Sequence, residues 1–82
     1  MELPIEHESI GVLASFSGRS VKPVAFRWGQ RRYRIERIHL VYRRRAGGRL
    51  FYHFSVTVGA DSFDLGFEPL TLEWRVARTT EG

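Results

Sequence analysis

Apolar and polar residues alternate along most of this chain with a period of two, and no stretch carries the 3.6-residue period of an amphipathic helix. The clearest run is Val24 to Val58, VAFRWGQRRYRIERIHLVYRRRAGGRLFYHFSVTV. Alternation on both sides of Gly29-Gln30, and again on both sides of Ala46-Gly47-Gly48, predicts three antiparallel strands joined by two tight turns.

Turn chemistry sets the expected registers. Gly29-Gln30 suits a two-residue type II′ loop, because the first central position needs a positive φ that glycine adopts cheaply. That pairs Trp28 with Arg31, Phe26 with Tyr33 and Val24 with Ile35, so apolar residues meet. At the second turn, a two-residue Gly47-Gly48 loop would set Tyr42 against His53 and Leu40 against Ser55, mixing apolar with polar. A three-residue loop, Ala46-Gly47-Gly48, pairs Arg44 with Leu50, Tyr42 with Tyr52, Leu40 with Phe54 and Ile38 with Val56, and the pattern favours it.

The middle strand switches phase. Tyr33 and Ile35 are odd-numbered core candidates, whereas Ile38, Leu40 and Tyr42 are even-numbered, which predicts a bulge or bend near Glu36-Arg37. Flanking this run, Ile10 to Phe16, Phe63 to Phe67 and Leu72 to Val76 also alternate, separated by Ser17-Gly18-Arg19-Ser20, Gly59-Ala60-Asp61-Ser62 and Glu68-Pro69-Leu70-Thr71. Pro23 suits a strand's start, and Gly66 inside a strand points to a bulge or a close backbone approach.

The reading is an all-β fold: six strands near 10–16, 23–28, 31–45, 49–58, 62–68 and 71–77, forming an antiparallel meander curled into a small SH3-like barrel or half-barrel, with a highly curved open sheet as the alternative. Residues 1–9 are expected to be a flexible tail, 10–78 one barrel-like domain and 79–82 a frayed end. The expected core is Phe26, Tyr33, Ile35, Ile38, Leu40, Tyr42, Tyr52, Phe54, Val56, Leu65, Phe67, Leu72 and Trp74. Trp28 shares the inward phase of its strand.

Four segments carry a resemblance: Val12-Leu13-Ala14-Ser15-Phe16, Lys22-Pro23-Val24-Ala25-Phe26-Arg27-Trp28, Arg32-Tyr33-Arg34-Ile35 and Leu72-Glu73-Trp74-Arg75-Val76. Together they resemble a family of small bacterial β-proteins of unknown function, over Ile10 to Val76. Similar modules sit at the ends of some bacterial proteins that resemble lesion-bypass DNA polymerases. In the family's usual pattern one residue separates the tryptophan from the glycine, whereas Gly29 follows Trp28 directly. The resemblance implies no catalytic residue.

Composition narrows the function classes. Eighty-two residues make one domain, which buries only about 60% of its unfolded surface, and eleven aromatic residues offset so thin a core. Without cysteine there is no disulfide or thiolate metal site. No apolar run approaches the ~18 residues of a membrane span, and Met1-Glu2-Leu3-Pro4 opens no signal peptide, so a cytoplasmic protein without a membrane partner is expected. Residues 19 to 50 hold eleven basic side chains against one acid, Glu36. Such a segment attracts polyanions.

Basic residues interleaved with aromatics are what a nucleic-acid surface requires: guanidinium groups pair with phosphates and rings stack on bases. Arg32, Arg34, Arg43, Arg45, Arg49, Phe51 and His53 are the expected contacts with DNA or RNA, with Val41 and His39 beside them and Phe51 exposed as a stacking platform. The plainer account is that arginines decorate any solvated strand. His39 and His53 would be diagonal neighbours, but nothing supplies the third ligand that zinc needs, so no metal and no cofactor is expected. Asp61, Asp64 and Glu68 match no calcium loop. No serine has a nucleophile context and no glycine loop cradles a phosphate, so no enzyme is expected. The alternative function is a protein-interaction or homodimer module docking through Phe51, Val41 or an unpaired edge strand.

Overall fold

The computed structural model describes residues 8–79. They form eight strands: β1 (Glu8–Ser9), β2 (Gly11–Ser17), β3 (Ser20–Trp28), β4 (Arg31–Arg34), β5 (Arg37–Ala46), β6 (Arg49–Val58), β7 (Asp61–Glu68) and β8 (Glu73–Thr79). No helix occurs among the described residues, so none is long and apolar enough to cross a membrane. The strands make two antiparallel sheets, β1-β8-β7-β6-β5 and β2-β3-β4.

Two corrections to the expected fold follow. Among the described residues both sheets keep free edges, so these residues form two facing sheets and no closed barrel. The count also rises from six strands to eight. Two long extended runs each serve both sheets and break where they cross between them. One run is interrupted at Ile10, whose amide donates to the Trp74 carbonyl, and the other at Ile35-Glu36, whose amides donate to Val24 and Thr57 on opposite sheets. The second break is the bend that the phase switch near Glu36 predicts. Most of the predicted tail, residues 1–7, and of the frayed end, 80–82, lies outside the described residues. Glu8 and Ser9, however, pair with Val76 and Arg75, and Thr79 pairs with Ser62.

At the first central turn the register holds: Trp28 faces Arg31 and Phe26 faces Tyr33, with Gly29 at φ 67° and Gln30 outside the positive-φ region, as type II′ requires. The second turn differs from expectation. Ala46 pairs with Arg49, leaving a two-residue loop in which Gly47 and Gly48 both have positive φ (59° and 79°), a type I′ turn. Tyr42 therefore does face His53 and Leu40 does face Ser55. Further along, an extra residue, His39, bulges between Ile38 and Leu40 and restores the predicted pairing of Ile38 with Val56. Its imidazole is hydrogen-bonded to the Thr57 hydroxyl.

That bulge moves Leu40 and Tyr42 off the inner face. Leu40 is 55% exposed, and Tyr42 is half-buried on the far side of the sheet. Leu72, also expected inside, stands 69% exposed in the β7–β8 turn with φ 64°. Ile35, Ile38 and Tyr52 are half-buried at the rim. Conversely, Phe63 and Val76 are fully buried, although the expected core omits them. The Phe26 and Tyr33 rings stack at 4.8 Å and both meet Phe63 edge-on at 5.2 Å, which locks the small sheet onto the large one. Trp28 packs against this core under the Arg78 guanidinium.

Pro23 is buried inside β3, beyond its predicted place at the strand's start. It is tolerated because β4 stops short of it and the β2–β3 register shifts beside it, Leu13 pairing with Ala25 and Ala14 with Pro23.

Candidate functional site

β6 is covered on both faces. Its even-numbered residues Phe54 and Val56 point into the core, and its odd-numbered Phe51 and His53 are also nearly buried, at 7% and 6% exposure. Across this second, outer face, Tyr42, His53, Gly66 and Arg75 pair in one row on β5, β6, β7 and β8. The His53 ring stacks on Tyr42 at 4.9 Å and lies over Gly66, where an added Cβ would sit 3.4 Å from Cε1. Gly66 is thus the close approach that a glycine within a strand signals.

Polar groups on this face are closely paired. His53 Nδ1 donates to Asp64 Oδ2 at 2.9 Å, and the Tyr42 hydroxyl donates to Asp64 Oδ1 at 3.4 Å. Burial, and then the Asp64 charge, push the Tyr42 pKa up. Phe51 lies between two guanidinium groups, those of Arg49 at 5.3 Å and Arg75 at 5.4 Å. Arg49 Nη2 donates to Glu68 at 3.1 Å and Glu73 at 3.4 Å, while Arg75 Nε donates to Glu73 at 3.1 Å.

Glu68 is buried, with 1% exposure. It accepts from the Thr71 hydroxyl at 2.6 Å and the Leu70 amide at 3.1 Å, and its own carbonyl accepts from Leu72 N, so it closes the β7–β8 turn. The Thr71 hydroxyl first, then Arg49, hold its carboxyl below the ordinary range. Arg75 does the same for Glu73. A cavity of about 340 Å³ opens above, floored by Phe51, His53 and Gly66, with Arg44, Arg45 and Ala46 from β5 on one side and Arg75 on the other.

The predicted contact residues are therefore split. The observed register pairs Arg43 with Tyr52 and Arg45 with Leu50, so these two arginines take the face opposite Phe51 and His53, and Arg44 takes theirs. A one-residue difference in register exchanges faces in this way. Arg49 is engaged by Glu68 and Glu73. Phe51, expected to be an exposed stacking platform, is enclosed. Arg32 and Arg34 lie exposed on β4, flanking buried Tyr33.

Sequence reasoning missed Arg44, Tyr42, Asp64 and Arg75 as members of one cluster. Only the rejected two-residue loop would have brought Tyr42 to His53. It also missed Phe16, a 66% exposed ring that meets Phe67 edge-on at 6.3 Å. Among the described residues no three His, Asp or Glu side chains are grouped to hold a metal. No protein-family model, curated protein or solved structure matches the chain.

Proposed function

We propose that this protein is a nucleic-acid-binding module that engages a phosphate backbone through the bent β4–β5 segment. One observation carries the reading. Asp61, Asp64, Glu68 and Glu73 all have basic partners, drawn from Arg49, Arg75, Arg78 and His53. None of the ten basic side chains from Arg19 to Arg45 takes part in an ion pair among the described residues. Acid and base cancel on β6–β8, and a surplus of exposed guanidinium remains on β3–β5.

Seven arginines fall within residues 31–46: Arg31, Arg32, Arg34, Arg37, Arg43, Arg44 and Arg45. Unpaired guanidinium groups along an extended strand suit phosphate oxygens, whose recognition carries no sequence information. With Phe51 enclosed, base stacking there is removed. Single strands and duplexes should bind comparably.

A second observation favours the interaction-module reading: β5 is an edge strand of the large sheet and leaves Leu40 on its outer face and Val41 on its inner face, 55% and 54% exposed. Salt separates the two. Anisotropy titrations of labelled oligonucleotides should give log affinity against log salt a slope of about −3 to −4 if four phosphates are engaged. The Arg43→Ala, Arg44→Ala, Arg45→Ala triple variant should flatten that slope. Absent binding at low salt, or equal binding by the variant, defeats the proposal. Sedimentation showing a dimer that persists at high salt would put the interaction module in front.

A further inference from the structure

The outer-face cavity has a chemical character of its own, separate from the exposed arginine strand. Three strands supply cationic donors around it: Arg44 from β5, His53 from β6 and Arg75 from β8. Arg44 has no acidic partner among the described residues, whereas Arg75 is shared with Glu73. His53 commits Nδ1 to Asp64, which leaves Nε2 as its second polar atom. Every buried side-chain nitrogen and oxygen among the described residues has a hydrogen-bond partner. Nε2 has none, so it keeps contact with solvent, in a ring that lines the cavity.

We propose that this cavity binds a compact tetrahedral dianion, the phosphate group of a small phosphomonoester, with His53 Nε2–H, Arg44 and Arg75 as donors. A planar carboxylate is satisfied by one guanidinium fork, whereas a tetrahedral dianion uses donors arriving from several directions, as three strands present them. The volume of about 340 Å³ lies near the low end of small-molecule pockets (~300–1,000 Å³), enough for a phosphate with a small organic remainder. Exposed Ala46 offers that remainder a small apolar surface. Gly66 keeps the floor low, since any side chain would press on the imidazole. None of this depends on nucleic-acid binding, because a free ion fills the cavity without a polymer.

Binding is coupled to a proton. Only the imidazolium form offers Nε2–H while Nδ1–H stays on Asp64, so the anion and the proton enter together. The titratable and charged groups on the His53 face are Tyr42 and Arg44 from β5, Arg49 on β6, Asp64 and Glu68 from β7, and Glu73 and Arg75 from β8.

NMR titration of the full chain with sodium sulfate at constant ionic strength tests this, since sulfate keeps its charge across the pH range of histidine. Saturable shifts are expected at the Phe51 and Gly66 amides and the His53 ring, with affinity falling as pH rises and the imidazolium is lost. Arg44→Ala should weaken binding about tenfold or more. His53→Gln, which can still donate to Asp64, should abolish the pH dependence. If the Gln variant fails to fold, the exposed Arg44 variant and the wild-type pH profile still decide. Inorganic phosphate and a nucleoside 5′-monophosphate form two further arms: tighter binding of the latter assigns the apolar surface to an organic group, and equal binding assigns the site to the free ion. Linear, unsaturable shifts spread over the arginine strand, or a pH-independent affinity, overturn the proposal.

Discussion

The two faces of β6 bury aromatic residues by different means. Inside, Phe54 and Val56 are enclosed by Leu65, Phe67, Trp74 and Val76, apolar groups whose partners lie across the sheet and on it. Outside, no second sheet among the described residues covers Phe51 and His53. Their cover is an arginine on either side of Phe51 and a tyrosine and a glycine around His53, held by the three carboxylates of Asp64, Glu68 and Glu73. Long guanidinium side chains lay their stems on apolar surface while their heads find acids. The inner face is therefore held by exclusion of water and is insensitive to pH and salt. The outer face depends on charge and is sensitive to both.

Substitutions should separate the two modes of burial. The largest effect belongs to Phe54→Ala, which should cost about 3–5 kcal/mol and unfold much of a domain whose total stability is about 5–15 kcal/mol. Phe51→Ala should cost less, about 2–3 kcal/mol, because the Arg49 and Arg75 side chains can settle into the space left behind. Chemical denaturation at neutral pH checks both. An unchanged midpoint for Phe51→Ala would mean that the outer cluster is decoration.

A smaller effect should appear on acidification. Glu68 and Glu73 are both held below the usual carboxylate pKa when folded, so their contribution is complete above the unfolded value of about 4.3 and is lost as pH falls through the folded values. The melting temperature should fall on the acid side of that value. Glu68→Gln should flatten the fall, and a curve identical to wild type would remove Glu68 from the account. Smallest of all, the Arg43, Arg44 and Arg45 triple alanine variant should change stability by no more than about 0.5 kcal/mol per site, since these exposed side chains have no ion-pair partner among the described residues. A large loss would mean that they hold the fold rather than serve a ligand.

Phe51 is the residue at which local pattern and tertiary structure differ most: alternation puts it in solvent, and the fold leaves it 7% exposed. The period-two pattern correctly separates it from Phe54, but alternation reports only that two residues face opposite ways. Whether the second face meets water depends on neighbouring strands. Glu68, Glu73 and Arg75 come from segments about twenty residues away, and nothing local in the β6 sequence announces them.

What the chain determined on its own was the all-β character, the first central hairpin with its register, the bend near Glu36 and the inward phase of Phe26, Tyr33, Phe54, Leu65 and Trp74. Each follows from a local rule: side chains alternate along a strand, and glycine at a turn selects the loop. Tertiary structure decided the Gly47-Gly48 turn, the bulge at His39, and so the faces taken by Arg43, Arg44 and Arg45. Pairing apolar with apolar was the wrong guide there, because Tyr42 finds its stacking partner in His53 and its hydrogen bond in Asp64, and the edge strand leaves Leu40 in solvent. A register is chosen by the sum of contacts on both faces of a sheet, and some of those contacts, such as that of Tyr42 with Asp64 on β7, come from beyond the β5–β6 hairpin.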